Sequence, residues 1–326
     1  MPDRRRRGPG APVDLTTSVG AVALPNPVMT ASGTSGHGAE LAPYLDLAGL
    51  GAVVVKSLSA DAWAGNPAPR LHPLPAGMLN SVGLDNPGVA AWLADDLPPL
   101  AATGAAVVAS IWGFSADDYR RAAAAVAAGA TPAVVAVEAN ISCPNVEDRR
   151  RMFAHDPQAA AGAVAAAVDG LAGSGLPLWV KLSPNVTDLT EIAAAVVGAG
   201  AASLTLVNTV MGMAIDPATG AARLGAGGGG LSGPAVHAVA VRAVYECRAA
   251  LPDIPIVGVG GVASGLDAAE LLAAGAHAVQ VGTATFADPR APARVLDELA
   301  AWCAAHEVRR VADLVGRAHG ARRSTP

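Results

Sequence analysis

The chain has 326 residues, enough for one large α/β barrel or two ordinary domains, and at 52% hydrophobic and 15% charged it can fill a core, so disorder is not its default. Aromatic residues at 3% offer no platform for stacking single-stranded bases, and a net charge of −5 gives no general attraction for nucleic acid or anionic lipid. Cys143, Cys247 and Cys303 are odd in number and far apart, which excludes a disulfide framework and any C-x-x-C metal site and points to a reducing cytoplasm.

Residues 1–12 hold Arg4, Arg5, Arg6 and Arg7 between Pro and Gly and read as a solvated basic tail; residues 13–326 read as a single domain. The segments 13–17 and 21–24, either side of Ser18-Val19-Gly20, predict a hairpin plugging the N-terminal end of a barrel. Eight apolar runs then alternate with Ala-rich helical stretches: 27–31, 52–56, 106–110, 134–142, 178–183, 203–208, 254–258 and 278–282. Apolar residues on consecutive positions suit strands covered on both faces. Most runs end in a polar residue or Gly, among them Ser32, Lys56, Ser110, Asn140, Lys181, Asn208, Gly260 and Gly282. Chemistry concentrated after strand ends is the layout of a (β/α)8 TIM barrel. The uncharged stretch 192–215 is broken by Gly198, Gly200 and Asn208 and does not read as a membrane span.

Two connections are long and are expected to act as lids: 57–88 after the second strand, rich in Pro, Gly and Asn, and the Gly-rich 209–233 after the sixth. In the first, Asn80 offers an amide and Gly83 a backbone open to a ligand, although an Asn/Gly turn ahead of a helix reads equally well. Lys56 and Lys181 are the two lysines of the chain, and both end strands, where an anion would pair with them; a Schiff base is the rival reading. Cys143, in Asn140-Ile141-Ser142-Cys143-Pro144-Asn145, lies in a polar loop where a thiolate could accept a proton; a small buried hydrophobe is the alternative. Cys247 and Cys303 fall in helical stretches and read as packing residues. Toward the C-terminus, Gly258-Val259-Gly260-Gly261 runs into a helix near Leu266, and Gly282-Thr283 follows the eighth strand. Glycine turns at these two strand ends, with Ser232-Gly233 nearby, predict a phosphate site; plain tight turns are the alternative.

Taken in order from about Val13 to about Gly316, these segments resemble class 1 of the dihydroorotate dehydrogenase family. The resemblance is carried by Ala31-Ser32-Gly33-Thr34, Val55-Lys56-Ser57, Gly65-Asn66-Pro67, the segment 80–88, Asn140 to Asn145, Lys181-Leu182-Ser183-Pro184-Asn185, Gly230 to Pro234, Gly258 to Val262 and Val281 to Thr283. Cysteine, where class 2 carries serine, is specific to class 1. Asn208-Thr209-Val210-Met211-Gly212-Met213-Ala214-Ile215-Asp216 is similar to the type B subfamily in particular. The resemblance implies one FMN per chain across the barrel mouth, with its phosphate on Gly233, Gly260, Gly261, Gly282 and Thr283. Ser32, Lys56, Ser57, Ser110, Asn140, Lys181 and Val207 would contact the remainder. Substrate would be held by Lys56, Asn80, Ser81, Val82, Gly83, Leu84, Asn140, Asn145, Asn208 and Thr209. Cys143 would remove the C5 proton of dihydroorotate while the C6 hydride passes to the flavin, giving orotate for pyrimidine biosynthesis.

Type B resemblance also implies a homodimer, or a heterotetramer with a subunit carrying FAD and an iron–sulfur cluster that reduces NAD+. No metal, nucleic-acid or membrane partner is expected. Two departures stand out: Ser110 replaces the usual Asn, and Glu147-Asp148-Arg149-Arg150-Arg151 replaces a Lys- and Gly-containing stretch. The competing readings are a flavoenzyme reducing uracil- or thymine-like rings and a flavin-binding barrel without turnover.

Overall fold

The computed structural model describes residues 12–142 and 153–320. The arginine tail, Cys143, Asn145 and the departing stretch 147–151 lie outside the described residues.

The chain enters through a hairpin of β1 (Thr17–Val19) and β2 (Val22–Leu24). Val19 pairs with Val22, so the turn is Gly20-Ala21, with Gly20 at φ 59°. The first strand therefore lies later than the expected 13–17: the two-residue turn needs a positive φ, and Gly20 meets that at no steric cost.

All eight apolar runs are strands: β3 (Val28–Thr30), β4 (Val53–Val54), then, beyond the first long connection, β7 (Val107–Ile111), β8 (Val134–Asn140), β9 (Leu178–Leu182) and β10 (Ser203–Leu206), and finally β13 (Ile256–Val259) and β14 (Ala278–Val281). They run parallel in the order β3-β14-β13-β10-β9-β8-β7-β4. The ends of this sheet meet where Gly51 N–H donates to Val28 O at 2.8 Å and Thr30 N–H to Ala52 O at 3.3 Å. Every residue of β7 and β9 is buried, as a strand covered on both faces requires.

The helices are α1 (Val89–Ala91) and α2 (Leu97–Ala102), α3 (Ala116–Gly129), α4 (Pro157–Gly170), α5 (Leu189–Gly198), α6 (His237–Ala250), α7 (Gly265–Ala274), α8 (Ala284–Ala287), α9 (Ala291–Ala305) and α10 (Arg317–Gly320). Capping boxes, Ser115 with Asp118 and Ser264 with Asp267, fix where α3 and α7 begin. Cys247 in α6 and Cys303 in α9 are fully buried. Burial pushes the Cys247 thiol up to about 12, so it packs and does not react. Among the described residues no helix is long and apolar enough to cross a membrane.

The barrel interior is layered. At its N-terminal end Val19, Val22 and Leu24 of the hairpin pack with Met29, Val54, Val108, Trp179 and Val257, closing that end as expected. Higher up the filling turns polar: Glu138 is fully buried and accepts from Gln280 Nε2 at 2.8 Å and Thr205 Oγ1 at 3.0 Å. The two long connections supply β5 (Leu71–Leu74), β6 (Gly77–Asn80), β11 (Val210–Gly212) and β12 (Gly229–Ser232). These form one antiparallel sheet, β11-β12-β6-β5. Leu79 stands opposite Leu231.

Candidate active site

Beneath that antiparallel sheet, at the C-terminal ends of the barrel strands, lies a cavity of about 460 Å³. Its wall gathers Ser32 and Lys56 from the first two strand ends, Asn140 from β8, Lys181 from β9, Asn208 and Thr209 after β10, and the glycine turns after β13 and β14. Parallel packing in a barrel brings all these ends to one rim, so residues more than a hundred positions apart become neighbours.

Lys181 is 5% exposed and Lys56 half-buried. Burial pulls both ammonium pKa values down; Glu138 works against this at Lys181 and Asp85 at Lys56. A buried ammonium beside a cavity favours an anionic or strongly accepting occupant, since pairing offsets the desolvation. The amides form a chain. Asn208 Nδ2 donates to Asn140 Oδ1 at 3.1 Å and Asn140 Nδ2 to Ser57 Oγ at 3.3 Å, while Asn80 Nδ2 reaches Gly230 O at 3.2 Å. Each amide is held in one orientation by protein, so a ring placed against it meets a fixed set of donors and acceptors.

Of the residues expected in the site, Ser32, Lys56, Ser57, Asn80, Ser81, Val82, Gly83, Leu84, Asn140, Lys181, Val207, Asn208, Thr209, Gly233, Gly260, Gly261, Gly282 and Thr283 all line the cavity. Ser110 does not. It is fully buried one layer back, bonded to Ser57 Oγ at 2.9 Å and reached by Ser32 Oγ at 3.2 Å. A serine side chain is too short to pass the other two hydroxyls, so it orients them instead of touching a ligand. Cys143 and Asn145 fall outside the described residues.

Several lining residues had not been singled out as site residues: Trp63, Phe114, Asn66, Asn185 and Phe286. Trp63 packs edge-on against Phe114 with centroids 5.0 Å apart, and its indole N–H donates to Gly83 O at 2.9 Å. Asn66 Nδ2 donates to Ser81 Oγ at 2.9 Å, and Asn185 Nδ2 to Thr209 O at 2.9 Å. Both amides brace backbone that lines the cavity. Their motifs, Gly65-Asn66-Pro67 and Ser183-Pro184-Asn185, were the available signal. Leu84 sits at φ 64°, a left-handed conformation costing a side chain of this type about 1–3 kcal/mol, and it lies in the stretch that faces the cavity.

A dihydroorotate dehydrogenase family model matches residues 14–302. The chain belongs to the dihydroorotate dehydrogenase family. It is 46% identical over 307 residues to a protein of Desulforudis audaxviator named dihydroorotate dehydrogenase B (NAD(+)), catalytic subunit, covering 94% of this chain and 98% of that one. A protein of Trichlorobacter lovleyi with the same name is 43% identical over 306 residues, 94% and 99% of the two chains. A Solibacter usitatus protein, provisionally named dihydroorotate dehydrogenase A (fumarate), is 46% identical over 302 residues, 93% and 97% of the two chains.

Dihydroorotate dehydrogenase membership implies a flavin, and the cavity wall fits one. Gly260 and Gly261 adopt φ 138° and 69°, and a Cβ on either would meet Ala240 Cβ at 2.7 Å or His237 Cβ at 2.6 Å. The turn is thus reserved for glycine and leaves bare backbone against the cavity. Opposite chemistry comes from the hydroxyls of Ser32 and Ser57, 3.1 Å apart, and from the buried Lys181.

Proposed function

We propose that this chain is the FMN-containing catalytic subunit of a type B dihydroorotate dehydrogenase, oxidising dihydroorotate to orotate. The observation that carries this reading is the cavity beneath the antiparallel sheet. Both lysines of the chain, the amides Asn80, Asn140 and Asn208, and the two glycine turns share its wall.

Gly233, Gly260, Gly261, Gly282 and Thr283 would hold the FMN phosphate through backbone, and Ser32, Ser57 and Val207 would contact the ring system. Bound there, FMN supplies the hydride acceptor. Lys181 places positive charge where negative charge develops, and because it is already desolvated it needs no reorganisation at that moment. Lys56 would pair with the carboxylate of the substrate. Burial, with the Arg70 guanidinium adding to it, depresses its pKa, and an anion beside it restores the charged form. Asn80, Asn140, Asn208 and Thr209, with Asn145, fix the pyrimidine so that its C5 proton meets one base, Cys143. The proton goes to the Cys143 thiolate as the C5–H bond breaks.

The relatives' names support a partner subunit that takes the electrons to NAD+. A homodimer of this chain, or a heterotetramer with that subunit, follows from the same reading. The test is purification with a visible spectrum, then anaerobic dihydroorotate with and without NAD+ or fumarate. Bleaching of a yellow protein is expected, with NAD+ reduced only when a second subunit is added. No bleaching refutes the oxidation, and fumarate reduction by this chain alone refutes type B.

A further inference from the structure

His237 opens α6, four residues beyond Gly233, and its ring lies under the Gly260-Gly261 turn. Nδ1 stands 3.0 Å from Gly260 O, and Nε2 stands 3.1 Å from Glu270 Oε2 on α7. The Gly260 carbonyl can only accept, so Nδ1 donates to it, and Nε2 faces the Glu270 carboxylate. The side chain is 15% exposed, whereas Glu270 is 55% exposed and reaches in from the surface. We infer that His237 is a positioning residue of the cofactor site: its ring ties the phosphate turn after β13 to α7 and so fixes the glycine backbone that receives the phosphate.

Three observations converge on this. The hydrogen bond to Gly260 O fixes the peptide at the head of the turn. A Cβ at Gly261 would lie 2.6 Å from His237 Cβ, so turn and histidine are packed in direct contact. The same residue links two segments expected at the phosphate, 232–233 and 260–261, because only Pro234, Ala235 and Val236 separate it from Gly233. The charged groups that face the ring are Glu270 at 3.1 Å and Asp267 at 3.9 Å, both on α7; β13 presents only the Gly260 carbonyl and the glycine backbone among the described residues.

This inference rests on the cavity being an FMN site, and one experiment separates the two. FMN is titrated into apoprotein, followed by quenching of flavin fluorescence, for the wild type, His237→Ala, His237→Asn and Glu270→Gln. His237→Ala is expected to bind FMN about tenfold more weakly, the scale of one positioning hydrogen bond lost from the turn. His237→Asn should restore most of that affinity, since its amide N–H takes the place of Nδ1 as donor to Gly260 O. Glu270→Gln, on the surface, should weaken binding by a smaller factor.

Wild-type protein that binds no FMN overturns the cofactor reading and this inference with it. Wild type that binds, with His237→Ala equal to it, overturns this inference alone. A His237→Asn variant that fails to rescue shows a packing role only and also overturns it.

Discussion

The two ends of this barrel are both covered by antiparallel strands, and they do opposite things. At the N-terminal end a six-residue pair, β1 and β2, drives Val19, Val22 and Leu24 down among Met29, Val54, Val108 and Trp179, leaving an apolar seal. At the other end β5, β6, β11 and β12 form a wider sheet that stands off the rim and encloses polar space. The difference lies in the strand ends beneath. Apolar side chains at one end can be met by apolar side chains, whereas Lys56, Asn140, Lys181 and Asn208 at the other must keep partners or a ligand. One end of the fold therefore contributes stability and the other chemistry, and substitutions should separate the two.

The largest effect expected is at the mouth. Cys143→Ala should slow anaerobic reduction by dihydroorotate about a thousandfold or more at neutral pH, while leaving the melting temperature near that of the wild type. Stopped-flow bleaching at 450 nm, roughly the flavin band, reads the rate; an unchanged rate would remove the base. Lys56→Met should reduce kcat/KM about 300-fold, chiefly through KM, because the carboxylate of the substrate would lose its charged partner. A change confined to kcat would assign Lys56 to the chemical step instead.

At the sealed end the signature reverses. Leu24→Ala, at a position 3% exposed, should cost about 3 kcal/mol in urea denaturation and leave kcat and FMN affinity intact. A loss of FMN affinity there would break the comparison.

The smallest effect concerns His277, also at the sealed end, whose Nδ1 accepts from Ile256 N–H at 3.2 Å. Burial, with Arg248 nearby, pushes its pKa from 6.5 down to about 4. The folded value is the depressed one, so the unfolded chain takes up the extra proton first. The stability is complete above about 6.5 and is lost as pH falls toward about 4, by about 2 kcal/mol. His277→Asn keeps an acceptor for Ile256 and should flatten that slope in melts between pH 7 and roughly pH 4.5. An unchanged slope would place the acid sensitivity in other groups.

Much of this architecture was written locally. The eight barrel strands could be read because each is a consecutive apolar run, and burial on both faces imposes that pattern wherever the strand ends up. The cavity residues could be read because chemistry follows strand ends in a barrel, so Lys56, Asn140, Lys181 and the glycines of β13 and β14 were marked by position and type. Tertiary structure decided what depends on distant partners. Residues 71–80 and 229–232 read as separate long loops, since neither shows that the other completes its sheet. Ser110 reads as a wall residue, yet Ser32 and Ser57 stand in front of it. Trp63 meets Phe114, and His237 meets Glu270, only after the chain has closed. Periodicity and strand-end chemistry are properties of a segment, whereas hydrogen-bond pairing, depth in the wall and the charge state of an imidazole belong to neighbours that the fold alone brings together.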